Sequence, residues 1–232
     1  MKAMILAAGR GARMRPLTDN TPKPLLPVGG KPLIIWHLEK LAAVGITDIV
    51  INTAWLGEKL VAALGDGEAF GVRIQWSHEP AGGLETAGGI IQALPLLGAE
   101  PFAVVNGDIW SDLDYRLLTQ QQGHMAEQLA HLWLVANPPH HPQGDFCLQG
   151  AQVIDKPGFT FAGISLLRPE LFAKANGGFL KLRPFLAAAM AAKQVSGELH
   201  LGEWTDVGTV ARLQALAAKL APQRKISGNR KA

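Results

Sequence analysis

Leu6-Ala7-Ala8-Gly9-Arg10-Gly11-Ala12-Arg13-Met14-Arg15-Pro16, followed by Thr21-Pro22-Lys23-Pro24-Leu25-Leu26-Pro27, is the stretch whose reading decides the fold. Ala3 to Ala7 has the apolar run of a buried strand, and the chain then turns through two glycines. Small residues let backbone amides approach a ligand closely. Arg13, Arg15 and Lys23 bring positive charge to those amides, an arrangement suited to a polyphosphate. Two commoner glycine-rich loops fail on the residues. The dinucleotide pattern G-x-G-x-x-G needs glycine where Met14 stands, and no acidic residue closes a second strand about 20 positions on. A Walker loop needs Gly-Lys-Ser/Thr, which the chain lacks. A Gly-x-Gly turn can also be a tight loop with no ligand. The neighbouring arginines and the Pro-Lys-Pro favour phosphate.

Outward from this turn, strands and helices alternate. Lys31 to Val44 carries Ile34, Ile35, Leu38, Leu41 and Ala42 at helical spacing and stops at Gly45. Strands are expected at Asp48 to Thr53, Val72 to Trp76, Phe102 to Asn106 and Ala130 to Ala136. Helices are expected at Glu58 to Leu64, Glu85 to Leu97 and around Leu113 to Gln122. This order predicts an α/β fold, a mostly parallel sheet covered by helices on both faces. Ligands of such sheets sit at the carboxyl ends of the strands, where the Gly9 turn, Asn52, Glu79 and Asp108 fall. The second half is less regular. A Pro-rich loop, Asn137 to Gly144, precedes a hairpin expected from Asp145 to Gln149 and Gln152 to Ile154. A strand at Phe161 to Leu167 follows, then helices from Pro169 and over Leu180 to Lys193, a strand at Gln194 to Leu199 and a closing helix at Thr209 to Leu220.

The 232 residues and 48% hydrophobic content fit one α/β domain with a substantial core. A net charge of +3, without a basic and aromatic stripe, argues against nucleic acid as a partner. Cys147, the sole cysteine, excludes a disulfide framework and suits a reducing cytoplasm. No signal peptide and no apolar run of about 18 residues is recognised, so no membrane association is expected. Residues 223–232 read as a disordered tail.

Each candidate site residue has a structural alternative. Asp108, past the strand end in Asn106-Gly107-Asp108, suits Mg²⁺, which takes carboxylate oxygens and keeps water; it also suits a turn. Asp206, in Trp204-Thr205-Asp206-Val207-Gly208-Thr209, is either a second metal ligand or the cap of the last helix. Lys156, after the expected hairpin, is a phosphate anchor or a plain turn lysine. Glu79 to Gly89 offers small residues on which a flat nucleobase could lie, or a flexible loop. The adjacent His140 and His141 lack a third ligand for zinc.

Taken together, Gly9 to Thr18, Pro22 to Pro27, Gly107-Asp108, Asp155-Lys156-Pro157 and Trp204 to Thr209 resemble, in order, the motifs of the sugar-phosphate nucleotidyltransferases. The resemblance implies a Rossmann-like three-layer sandwich with a mixed, mostly parallel sheet and a small sugar-binding β subdomain. It implies one domain over residues 1–222, with about 1–136 serving the nucleotide and about 137–206 the sugar phosphate. Ala8, Gly9, Gly11, Ala12, Arg13, Lys23, Glu79 and Gly83 would bind nucleotide. Asn106, Gly144, Asp155, Lys156 and Trp204 would bind the sugar phosphate. Asp108 and Asp206 would hold Mg²⁺, and Arg13, Lys23 and Asp108 would be catalytic. Within the family, the length and the stretches Leu84 to Gly89, Asn106 to Trp110 and Thr160 to Ile164 look most like bacterial uridylyltransferases of peptidoglycan recycling. That implies UTP and N-acetylmuramic acid 1-phosphate as substrates. Glucose 1-phosphate with dTTP or UTP, mannose 1-phosphate with GTP, or a non-catalytic nucleotide-sugar-binding regulator, are the alternatives. Three positions depart from the family pattern: Ala12 for a hydroxyl residue, Asp155 for glutamate, and Glu85 for the glycine of Leu-Gly-Thr.

Overall fold

The computed structural model describes residues 1–221; the tail expected at 223–232 lies outside the described residues. In chain order the elements are β1 (Ala3–Leu6), α1 (Leu17–Asn20), β2 (Pro27–Val28), β3 (Lys31–Pro32), α2 (Leu33–Ala43), β4 (Asp48–Thr53) and α3 (Gly57–Leu64). Then come β5 (Arg73–His78), α4 (Glu85–Leu97), β6 (Phe102–Asn106), β7 (Ile109–Ser111), α5 (Arg116–Gln122) and β8 (Ala130–Val135). The chain closes with β9 (Phe146–Gln149), β10 (Gln152–Leu167), α6 (Arg183–Ala191), β11 (Val195–Leu199), β12 (Trp204–Asp206) and α7 (Val210–Lys219).

The main sheet has the order β11-β8-β10-β6-β1-β4-β5, with β9 paired to β10. β10 is antiparallel to β6, β8, β9 and β11, whereas β1, β4, β5 and β6 are mutually parallel and β8 is parallel to β11. β10 alone therefore runs against the rest. The period-2 alternation of the strands sorts the core onto two faces. Ala3, Ile5, Ile49, Ile51, Ala103 and Val105 pack with Ile34, Leu38 and Leu41 of α2. Met4, Val50, Phe102 and Val104 pack with Ile90 and Ala93 of α4 and Leu186 of α6. Helices on both faces of the sheet make the α/β three-layer sandwich. A third cluster joins Met14 of the glycine turn to Leu26, Val28, Leu33, Trp110 and Leu213, so α7 braces the underside of the turn.

The second half corrects the sequence reading. The expected hairpin strand and the Phe161 strand are one 16-residue β10, with shifts of register between Ile154 and Phe159 and between Phe161 and Ser165. Pro157 and Gly158 suggested a break, but β10 absorbs them as an irregularity, which needs no turn. Lys156 thus lies in a strand, and the region expected to serve the sugar phosphate shares β10 with the main sheet. The expected helix at Pro169 is a single 3-10 turn, Pro169–Phe172, and the helix expected from Leu180 begins at Arg183. Gly177 and Gly178, both at positive φ, keep the preceding segment irregular.

Two buried histidines carry a pH signature. His37 Nε2 lies 2.8 Å from the Ile109 carbonyl, which can only accept, so His37 Nδ1 accepts from the Tyr115 hydroxyl at 2.9 Å. Burial lowers His37 to about 4, and burial followed by the charge of His124 lowers His131 to about 4. Both are neutral when folded but protonate near 6.5 when unfolded, so the unfolded state binds more protons between these values. Their contribution is complete above about pH 6.5 and is lost as pH falls toward 4, up to about 3 kcal/mol for each. In an NMR titration of the seven histidines, His37 and His131 are expected to stay neutral to below pH 5. Titration of either near 6.5 in the folded protein would contradict this.

Candidate active site

A cleft of about 870 Å³ opens at the carboxyl ends of β1, β4, β5 and β6. Ala8, Gly9, Gly11, Ala12, Arg13 and Lys23 line one wall; Glu79, Gly83, Leu84 and Glu85 line the other; Asn106 and Asp108 lie between them. Gly11 has φ +63°, and its carbonyl accepts from Met14 N–H at 2.8 Å and from the Thr18 hydroxyl at 2.9 Å. Arg10 stacks on the Trp55 ring at 4.6 Å, while the Trp55 indole donates to the Thr18 carbonyl at 3.0 Å. A polar chain fixes the walls to each other. Ala7 N–H donates to Asn52 Oδ1 (2.7 Å), Asn52 Nδ2 to Glu79 Oε1 (2.6 Å), and Leu84 N–H to Glu79 Oε2 (2.7 Å). Both Glu79 oxygens are engaged within the protein, so Glu79 braces the pocket.

Charge is concentrated at one end. Lys23, 7% exposed, places Nζ 2.5 Å from Asp108 Oδ2. Asp108 sits between β6 and β7, and β7 pairs antiparallel with β12, with Asp206 opposite Ile109. Val207 N–H donates to the Asp108 carbonyl at 2.8 Å. This two-stranded clip brings two aspartates, distant in sequence, to neighbouring positions. Asp206 Oδ2 lies 2.9 Å from Arg212, and Asp206 Oδ1 lies 2.9 Å from His140 Nε2. Asp206 Oδ1 is nonetheless buried without a well-directed hydrogen bond. The helix cap is Thr209, whose hydroxyl accepts from Arg212 N–H, which removes the capping alternative for Asp206. Side chains against α2 hold β7 from behind. His37 bonds the Ile109 carbonyl, and Lys40 donates to the carbonyls of Ser111 and, at 3.1 Å, Leu113.

The residues expected at the sugar phosphate are less gathered. Asn106 lines the cleft, whereas Gly144, Asp155, Lys156 and Trp204 stand outside its wall. Asp155 pairs with Arg183 at 2.6 Å, and Lys156 is exposed with no ion pair among the described residues. The Trp204 indole N–H donates to the Ala162 carbonyl at 2.8 Å. Gly144 has φ +67° and abuts Asn137 and Gly158 too closely for a side chain. Sequence reasoning missed Arg212, Trp55 and Phe179. Phe179 is 66% exposed at the cleft rim. It stands in an irregular segment whose Leu180 carbonyl accepts from Ala87 and Gly88 N–H and whose Leu180 N–H donates to Leu84 O. No periodic signal marks any of the three.

Residues 2–146 match the profile of the family described as nucleotidyl transferase. The chain belongs to that family. This nucleotidyl transferase is 58% identical over 227 residues to N-acetylmuramate alpha-1-phosphate uridylyltransferase of Neisseria meningitidis, covering 94% of this chain and 98% of the relative. It is 32% identical to the protein of the same name from Caulobacter vibrioides, covering 94% and 96%. A solved structure from Bacillus anthracis, described as a glucose-1-phosphate thymidylyltransferase in complex with sucrose, matches with a TM-score of 0.86 at 27% identity over 95% of each chain. The nucleotidyl transferase is thus an enzyme of sugar-phosphate nucleotidyl transfer built on the α/β sandwich. Among the described residues, no helix is long and apolar enough to cross a membrane.

Proposed function

We propose that this enzyme transfers the uridylyl group of UTP to N-acetylmuramic acid 1-phosphate, giving UDP-N-acetylmuramic acid and pyrophosphate, in the cytoplasm and in the service of peptidoglycan recycling. The observation that carries the reaction type is the Lys23–Asp108 pair lining the cleft beside the Gly9–Arg13 turn, with Asp206, outside the cleft lining, on the strand that pairs with the one following Asp108. The choice of sugar rests on the 58% identity to a relative of that name.

The residues fit a divalent cation. Among the described residues no three acidic, histidine or cysteine side chains gather as a cage. Mg²⁺ needs none, because one or two carboxylates plus substrate phosphates and water complete its shell. Asp108 and Asp206 would supply the carboxylates; Asp206 Oδ1 is buried with no well-directed hydrogen bond, its nearest cationic group being His140 Nε2 at 2.9 Å. When bound, Mg²⁺ offsets phosphate charge and polarises the α-phosphate. The turn amides and Arg13 hold the triphosphate. The sugar-phosphate oxygen attacks the α-phosphorus in line; that P–O bond forms as the α–β bridge breaks, and pyrophosphate leaves with the electron pair. No general base is needed, since a phosphate monoester is largely ionised near neutral pH. Lys23, nearly desolvated, steadies charge on the α-phosphate, and the cleft aligns the reactants.

Pyrophosphate release is the test, measured for UTP, dTTP and GTP against the 1-phosphates of N-acetylmuramic acid, N-acetylglucosamine, glucose and mannose with Mg²⁺. The highest kcat/KM is expected for UTP with N-acetylmuramic acid 1-phosphate. Preference for glucose 1-phosphate with dTTP would favour the chemistry named for the Bacillus anthracis structure. Tight UTP binding without turnover on any sugar phosphate would make the protein a binding module.

A further inference from the structure

Glu85, at the start of α4, has φ +60°, in the left-handed region that glycine adopts freely and a glutamate does not. Its neighbours on either side do not share that conformation: Leu84 has φ −120°, and the helix proper follows. Such a conformation is strained for a residue with a side chain and persists where surrounding contacts or function hold it. No contact of its own side chain holds it. Glu85 is exposed, lines the cleft, and makes no hydrogen bond or ion pair among the described residues. Glu79, six residues earlier in the cleft lining, has both oxygens engaged within the protein, whereas the Glu85 carboxylate has no partner among the described residues.

The neighbourhood says which ligand group. The segment bearing Phe179 and Leu180 comes from the connection between β10 and α6 and docks on the first turn of α4 through three backbone hydrogen bonds at Leu180. Glu85 therefore lies between residues that bond the segment following β10, Leu84 on one side and Ala87 and Gly88 on the other, and lines the same cleft as the glycine turn and Phe179. The phosphates are excluded as its partner by charge. An ionised carboxylate only accepts, so the partner is a hydrogen-bond donor on a neutral part of the substrate.

We propose that Glu85 is a specificity-determining residue whose carboxylate accepts a hydrogen bond from a hydroxyl or amide N–H of the sugar ring, and that its strained backbone is retained to aim it there. The inference rests on the reaction proposed above and names the group that reads the sugar. A charged acceptor opposite a sugar donor also discriminates strongly, because a substrate lacking the donor leaves the carboxylate desolvated and unpaired.

Glu85→Gly and Glu85→Gln separate the two halves of the inference. Glu85→Gly removes the strain and the acceptor together. Its Tm is expected to rise by roughly 2–4 °C, the shift that relief of one strained residue gives a chain of this size. Its kcat/KM for the sugar 1-phosphate is expected to fall roughly 10- to 100-fold, the range for losing a hydrogen bond to a charged group, chiefly through KM. Glu85→Gln keeps the strain and a weaker acceptor, so its Tm stays unchanged and its loss is smaller. In both variants the UTP KM is expected to be unaltered. If the donor is the N-acetyl amide, the loss is confined to N-acetylated sugars; if it is a hydroxyl, glucose 1-phosphate loses equally. Calorimetric titration of each sugar 1-phosphate onto the UTP-free and UTP-bound protein gives the same comparison without turnover. Unchanged sugar 1-phosphate affinity in both variants, or a rise in the UTP KM instead, overturns the proposal. A wild-type protein that turns over no sugar phosphate fails the parent reading, and the titrations still decide the role of Glu85.

Discussion

Asp108→Ala is expected to lower kcat for pyrophosphate release by about two to three orders of magnitude, the scale for removing one preorganised electrostatic group. Asp108 faces Lys23 at 2.5 Å, and Lys23 is almost wholly buried. Deleting the carboxylate therefore removes a proposed metal ligand and also leaves an ammonium without its partner in a poorly solvated place. Lys23→Ala should cost a comparable factor, because it takes away the cation nearest the proposed α-phosphate. The two losses should not add. The double variant is expected to be little worse than either single one, since each single change already dissolves the pair. Asp108→Asn preserves shape and a hydrogen bond to Lys23 but not the charge, so it isolates the electrostatic part. Turnover within a few-fold of wild type in Asp108→Ala at saturating Mg²⁺ would remove Asp108 from the metal site.

Gly11→Ala should impair the enzyme for a different reason. Gly11 has φ +63°, and a Cβ there would stand 3.0 Å from Thr18 Cγ2 and 3.2 Å from Lys23 Cβ. The substitution costs roughly 1–3 kcal/mol of backbone strain and presses on the lysine that pairs with Asp108. A fall in kcat/KM for UTP of about 10- to 100-fold is expected, with an accompanying drop in Tm, on the premise that one misplaced catalytic cation costs this much. Gly9 is the control. Nothing lies within 4 Å of a Cβ at Gly9, and its φ is ordinary. Gly9→Ala should therefore fold with unchanged Tm and reveal, through the UTP KM alone, whether phosphate approaches that backbone closely. If Gly11→Ala behaved like Gly9→Ala, the turn would not be the rigid element the geometry implies.

Much of the first half was legible because its signals are local. The apolar run before Gly9, the helical spacing of Ile34, Leu38 and Leu41, and the strand ends at Asn52, Glu79 and Asp108 all reflect short-range periodicity. The structure gathers those strand ends into one cleft. Glu85 to Leu97 was legible as a helix, although nothing in its composition announced that Glu85 would stand at positive φ. The second half was harder. Pro157 and Gly158 look like punctuation, yet β10 runs through them because β9 and β8 pair with it on both sides. His140 invited comparison with zinc ligands, and its partner is instead Asp206, more than sixty positions away.

The sequence by itself determined the glycine turn after the first strand, the alternation of strands and helices, and the residue types available for nucleotidyl transfer. Those properties follow from steric and hydrophobic preferences acting over a few residues. Only the tertiary structure decided which charges meet. Asp108 and Asp206 become neighbours because β7 and β12, each three residues long, pair with each other, with His37 and Lys40 holding β7 from behind. Strands that short carry no periodic signal, and their pairing depends on long-range hydrogen bonds that no local pattern encodes. The same holds for Lys23, whose burial beside Asp108 is set by the packing of the Pro22–Leu26 turn under α7. The turn that opens the chain is thus written in its own residues, and the chemistry next to it is assembled by contacts from the other end.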